Sequence, residues 1–515
     1  MKMVKSLLLV SAAGFVVAST GAQAADLPVK AKPVEYVKVC SLYGAGFYYV
    51  PGTDICMKVG SYIRFQQDFG QGANISAGPL NGLGGRQTRT DTQDYAMRTR
   101  AVATFDTRQQ TAYGTLRTYL LMGFQQDSTV APSTSPNVYM TRGFIQLAGF
   151  TFGKATSFFD FVSTAAVAYN AGFNYAPDTG DAGQMVAGYT AQFGNGLSAT
   201  IAAEQSRRVA TVNTQYQGAG SNGAAAYSLA TVNPTSDNLG GGTTAGVGLT
   251  DIVGNIRIDQ AWGSAQISGA LHDARAGYYS NTSGIGTALV DTYGHPDDKW
   301  GWAVSAGLRL NAPMIGPGDY FQGAVVYSQR AIKYAAVTPS GSALNVWKGN
   351  TVGFGFFEDG VFTNPGGYAP SVQLTTAWSV FASYEHFWTP SLRTSVYGSY
   401  IDVTHNAAAN AAICASSTGS GTGVGNPFYG AVDGCSADWS SFTVGSRSQW
   451  NITKDLYVGL DVFYAKLNSA KTGAGSANVV TVGAAGMGGL GAGTYVVKDQ
   501  DAWTATWRIQ RDIVP

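Results

Sequence analysis

From Tyr189 to Ala202 the chain alternates with a period of two. Tyr189, Ala191 and Phe193 share one parity and Thr190 and Gln192 the other, and Leu197, Ala199 and Ile201 continue the pattern beyond Gly194-Asn195-Gly196. Alternation across a tight Gly/Asn turn predicts a β-hairpin whose two faces meet different media. Arms of the same kind recur over 57–68, 94–106, 111–122, 138–147, 150–155, 185–193, 196–206, 250–260 and 264–274. They continue over 300–310, 320–330, 375–387, 391–403, 440–450, 455–466 and 501–513. Between them, short connections holding GNG, WGS, TPS or NITKD alternate with eight longer segments rich in Gly, Ser, Asn and Thr.

Sixteen such arms with one short-turn side and one long-loop side predict an all-β fold, a sixteen-stranded antiparallel transmembrane β-barrel. Closure removes the unpaired strand edges that lipid cannot satisfy. Parity assigns the faces. Trp302, Val304, Ala306, Leu308 and Leu310, or Leu456, Val458, Leu460, Val462 and Tyr464, form the outer apolar band. Asn255, Arg257 and Asp259, or Gln266 and Ser268, face a wet interior, and Trp262, Trp388, Trp450, Tyr457 and Trp503 near arm ends suit an interfacial girdle. Sixteen tilted strands enclose more space than side chains fill, which leaves an aqueous channel.

Composition agrees with this reading. Of 515 residues only 12% are charged, against roughly 25% in soluble domains, so a soluble β-sandwich is disfavoured. No apolar run reaches the ~20 residues of a transmembrane helix. A net charge of +1 points to no nucleic-acid partner. Residues 1–24, with Lys2, Lys5, the run LLLVSAAGFVV and Ala22-Gln23-Ala24, read as a secretory signal peptide, leaving 25–515 as the exported barrel. In an oxidising compartment the neighbouring cysteines pair naturally as Cys40 with Cys56 and Cys414 with Cys435.

The stretches VEYVKVCSLYGAGFYYVPGTDICMKVGSYIRF (34–65), RGFIQLAGFTFGKATSFFDF (142–161) and YEHFWTPSLRTSVYGSY (384–400) closely resemble the general porins of alphaproteobacteria, which include the Brucella and rhizobial major outer-membrane porins. The resemblance covers most of the mature chain. It implies a homotrimer in the cell outer membrane, among lipid and lipopolysaccharide, that passes small hydrophilic solutes by passive diffusion. It also implies that segment 156–184 folds inward as the constriction loop. Such porins commonly end on an aromatic residue, whereas this chain ends Arg511-Asp512-Ile513-Val514-Pro515, a departure that bears on assembly rather than fold.

Segment 156–184 carries Asp160, Asp178 and Asp181, and no Lys or Arg. Parity turns Arg64, Arg98, Arg100, Arg117 and Arg142 toward the lumen. Facing lipid, each would cost about 2 to 4 kcal/mol at the midplane. Acidic loop opposite basic wall would set a transverse field across the constriction.

The rival functions lack their chemistry. His272, His295, His386 and His405 are scattered, with no H-E-x-x-H and no G-x-S-x-G to make an enzyme, and no cofactor or metal site is expected. GAGSNG (218–223) and GMGGLG (486–491) match G-x-G-x-x-G only within glycine-rich loops. A plugged transporter needs a large domain before its barrel, yet only residues 25–56 precede the first arm. An adhesin or structural role for the long loops stays open.

Overall fold

The computed structural model describes residues 38–70, 95–128, 135–171, 174–180, 182–215, 245, 248–279, 291–336, 343–415, 427–428, 431–482 and 491–513. Cys40–Pro515 form one compact unit; of the separate unit Met1–Val39 only Lys38 and Val39 are described, so the signal-peptide reading lies outside the described residues.

Sixteen antiparallel strands close into a barrel: β1 (Cys56–Gly70), β2 (Tyr95–Thr111), β3 (Gly114–Asp127), β4 (Asn137–Leu147), β5 (Phe150–Ala155), β6 (Gln184–Gly194), β7 (Leu197–Glu204) and β8 (Asp251–Gln260). They continue as β9 (Gly263–Asp273), β10 (Trp300–Asn311), β11 (Tyr320–Gln329), β12 (Thr376–Thr389), β13 (Leu392–Thr404), β14 (Trp439–Asn451), β15 (Leu456–Asn468) and β16 (Gln500–Ile513). Each strand matches one predicted arm. Closure runs between β1 and β16, from Ser61 opposite Ile513 to Gly70 opposite Thr504. The opening hairpin is β6–β7. Asn195 at φ 49° and Gly196 at φ 74° supply the two positive φ values of a tight hairpin turn. A Cβ on Gly196 would stand 1.9 Å from the carbonyl oxygen of Asp259, so the neighbouring strand demands glycine there.

Parity holds around the wall. Ile256, Ile267, Val304, Val325 and Leu460 are exposed on the outside, while Gln266, Ser268, Gln322, Ser395 and Thr506 are buried inside. Trp262, Trp388, Trp450 and Trp503 are exposed as a girdle requires. Tyr457 differs from expectation. It neighbours Leu456 and Val458, so its parity turns it inward, where its hydroxyl donates to Gln510 at 3.0 Å.

At the long-loop end the connections build a cap. Residues 343–348, 351–356, 479–482 and 493–497 make a four-stranded sheet, and 211–213, 360–362 and 373–374 a three-stranded one. Trp347, Phe354, Phe357 and Phe428 are buried there with Trp439. Helix α1 (Ala407–Cys414) starts at Asn406, whose side chain accepts from the Ala409 amide at 2.8 Å. Both cysteine pairs join as expected, Cys40–Cys56 and Cys414–Cys435, with Cα separations of 5.9 and 6.0 Å.

Candidate pore constriction

Segment 156–184 leaves the wall after β5 and crosses the lumen, because the inward faces of distant strands supply a track of polar side chains for its backbone. Asn255 on β8 donates to the Phe158 carbonyl at 2.6 Å, and Gln322 on β11 to that of Ser163 at 3.1 Å. Farther round, the Tyr169 and Asn170 amides donate to Asp461 on β15 at 2.5 and 3.3 Å, and Asn170 Nδ2 to Thr506 on β16 at 2.8 Å. The Tyr175 amide donates to Ser399 on β13 at 2.8 Å, and its hydroxyl to Ser441 on β14 at 2.8 Å. Each contact satisfies a backbone or side-chain group that would otherwise be buried unpaired.

Under the crossing segment lies a cavity of about 550 Å³, bounded by Ala165, Ala168 and Tyr169 on one side. Its wall holds Arg64, Arg309, Arg393, Arg447 and Arg508, with Glu385 and Asp512 as the acidic members. Arg447, 2% exposed, pairs with Glu385, and Arg393 approaches the same carboxylate at 3.5 Å. The Arg508 guanidinium carbon lies 4.0 Å from the centre of the Tyr169 ring, and Arg309 stacks at 3.8 Å over Tyr320. Ring stacking and ion pairing hold these planar cations in fixed orientations. Five guanidiniums against two carboxylates make the cavity wall cationic.

Of the arginines expected at the constriction, Arg64 lines this cavity, donating to Gln510 at 2.7 Å. Arg142 holds the return of the segment, donating to the Gly180 carbonyl at 2.6 Å. Arg98 pairs with Asp127 at 2.6 Å, Arg100 donates to Gln125 at 2.8 Å, and Arg117 meets Asp106 at 3.0 Å, all on β2 and β3. Asp160 and Asp178 are held by neighbouring groups. Asp160 pairs with Arg207 at 2.6 Å, both side chains almost fully buried, and accepts from Thr179. Asp178 accepts from the Thr164 amide and hydroxyl at 2.7 Å each. A desolvated carboxylate is retained by the nearest donors, which for Asp178 lie in the loop and for Asp160 include Arg207 beyond β7. Asp181 lies outside the described residues.

Arg309, Arg393, Arg447 and Arg508 were missed by the sequence reading. Their parity was available, since Arg309 neighbours the outward Leu308 and Arg508 the outward Trp507; what was lacking was which strands the segment crosses. The structure also gathers Ser206, His272 and Asp251: the serine hydroxyl and the carboxylate lie 3.3 and 2.9 Å from the same Nδ1. An oxygen of Asp359 stands 3.5 Å from Nε2, so the imidazole is held between two carboxylates, and all three side chains are fully buried, out of reach of a substrate. They tie β8 and β9 to the cap.

The Porin subfamily matches residues 26–509. Porin Omp2b of Brucella melitensis is 32% identical over 329 residues, which is 60% of this chain and 81% of the relative. Porin Omp2b of Brucella neotomae is 36% identical over 215 residues, 39% of this chain and 54% of that protein. Among solved structures, the outer membrane channel DcaP of Acinetobacter baumannii superposes with a TM-score of 0.54 at 10% identity, covering 90% of this chain and 99% of that one, a likeness of fold. With the closed sixteen-stranded barrel and its polar, loop-crossed lumen, these matches establish that the chain belongs to the Porin subfamily and is an outer-membrane porin of the alphaproteobacterial kind.

Proposed function

We propose that small hydrophilic solutes and ions diffuse passively through the passage between segment 156–184 and the arginine wall, and that this passage favours anions. The observation that carries the reading is the cavity under Tyr169, with its five guanidiniums and two carboxylates. Charges fixed at a partly desolvated narrowing act more strongly on a passing ion than charges at an open mouth. Arg98, Arg100, Arg117 and Arg142 belong to the same lumen and act as a weaker approach field, because Arg98 and Arg117 are already paired to carboxylates.

Family and relatives point to a channel rather than an enzyme. A homotrimer fits the outer face of the first strands, where Gln67, Thr99, Ala101, Ala103, Thr107 and Thr118 replace large apolar side chains. Lipid satisfies no polar group, whereas a second copy buries and pairs such a surface. Lipid and lipopolysaccharide surround the remaining apolar band.

Planar bilayers test the reading. Discrete conductance steps without added energy or substrate, with a reversal potential on the anion side of zero in a salt gradient, are expected. Failure to conduct would overturn the channel, and cation selectivity would overturn the assignment to the five arginines.

A further inference from the structure

At the opposite end of the lumen from the cap, the segment before β1 folds back into the barrel. Cys56 has the inward parity of Lys58, Tyr62 and Arg64, so its disulfide to Cys40 pins the segment against the inner wall; the two cysteines are 2% and 0% exposed. Tyr48 and Tyr49 pair with Met57 and Cys56, taking the edge of β1 that β16 leaves open below Ser61. The stretch just before Tyr48 is latched twice. Lys58 Nζ donates to the Ala45 carbonyl at 3.4 Å, and the Arg108 guanidinium lies 4.8 Å from the Phe47 ring centre and 5.7 Å from that of Tyr43. Asp106 holds Arg108 in place at 2.9 Å. The segment and the wall enclose a cavity of about 650 Å³, bounded on one side by Tyr43, Ala45 and Phe47 and on the other by Lys58, Asp106 and Arg108.

We propose that the disulfide-closed segment 40–56 is a second constriction, a collar at the short-turn, periplasmic mouth, in series with the passage under segment 156–184. This rests on the channel reading above. Resistances in series add, so an obstruction at either place lowers the current through the whole pore. The disulfide supplies what an exposed turn lacks, since a closed loop has fewer alternative conformations to spread into. Lys58 and Arg108 position the collar, and Ala45 is exposed on it and borders the cavity.

The test uses the full-length porin in planar bilayers with Ala45→Cys as the sole added thiol, the native cysteines being held in disulfides. A bulky anionic methanethiosulfonate added from the periplasmic chamber should cause a stepwise, partial loss of conductance, faster than when added from the other side. Separately, Cys40→Ser with Cys56→Ser should raise conductance, while Cys414→Ser with Cys435→Ser, in the cap, should leave reaction at Ala45→Cys unchanged. A thiol that fails to react, or reacts without loss of current, overturns the collar, as does a Cys40→Ser, Cys56→Ser channel with unaltered conductance. Conduction by the unmodified protein keeps these outcomes distinct from failure of the channel itself.

Discussion

The backbone amide of Tyr169 donates to Oδ2 of Asp461 at 2.5 Å, joining residues 292 positions apart in the chain. The other oxygen of that carboxylate accepts from the Tyr397 hydroxyl at 2.6 Å. Asp461 is fully buried, so its charge depends on these donors and on the nearby guanidiniums. One wall carboxylate therefore sets how far the infolded segment reaches, and with it the position of the Tyr169 ring beneath Arg508 and Arg447.

Replacing this anchor should free the tip of the segment. Asp461→Ala leaves two amides and a hydroxyl without their acceptor, each loss worth about 1 to 3 kcal/mol. Single-channel recordings should show higher, noisier conductance with the barrel intact by circular dichroism, and Asp461→Asn, which retains an acceptor oxygen, should be intermediate. Unchanged conductance in Asp461→Ala would mean that the segment is held without it.

Ion preference should follow the cavity arginines. Glutamine at Arg309, Arg393 or Arg508 should move the reversal potential toward cation selectivity, whereas Asp160→Asn should leave it nearly unmoved because that carboxylate faces Arg207 inside the fold. Screening should shrink these shifts as salt nears 1 M, where the Debye length is about 3 Å. A large shift in Asp160→Asn with none at the arginines would reverse the assignment.

Asp160 should matter for stability instead. Removing one member of a buried pair strands the other, at a cost of about 3 to 5 kcal/mol. Asp160→Asn and Arg207→Met should therefore both lower the thermal midpoint of the folded porin, and the double variant should recover part of the loss. Additive losses in a double-mutant cycle would show that the two groups are not coupled.

The cap should loosen in alkali. His405, just beyond β13, lies 2.5 Å from Glu358 and 3.0 Å from Asp438. Burial alone would push its imidazole down, but the two carboxylates overcome this and hold it up at about 9. The ordinary value is about 6.5, so the contribution is fully present below that pH and is lost as pH rises through the folded value. Hydrogen exchange of residues 405–415, corrected for intrinsic rates, should rise between neutrality and pH 10 relative to the barrel strands. In His405→Gln the rise should vanish.

Strand number, strand faces and the hairpin at Asn195-Gly196 were legible in the sequence because they rest on local rules: a period of two, a turn needing positive φ, and the cost of polar groups in lipid. Both disulfides followed from proximity. Tyr457 was assigned to the girdle by position along its arm although its parity pointed inward. Parity is the stronger rule, since a pleat allows no exception short of a bulge.

The lumen charges divide along the same line. Parity and the cost of a cation in lipid placed Arg64, Arg98, Arg100, Arg117 and Arg142 on the inner side of the wall. Only the tertiary structure decided which guanidiniums line the cavity under Tyr169, because that depends on where a loop leaving β5 comes to rest on β8 through β16, through contacts such as Asn170 to Thr506 across 336 positions. It also decided that Asp178 is held within its own loop while Asp160 ties that loop to Arg207 beyond β7. Alternation fixes the side of the wall on which a residue stands, whereas partners distant in the chain are chosen by the unpaired donors and acceptors that meet once the barrel has closed.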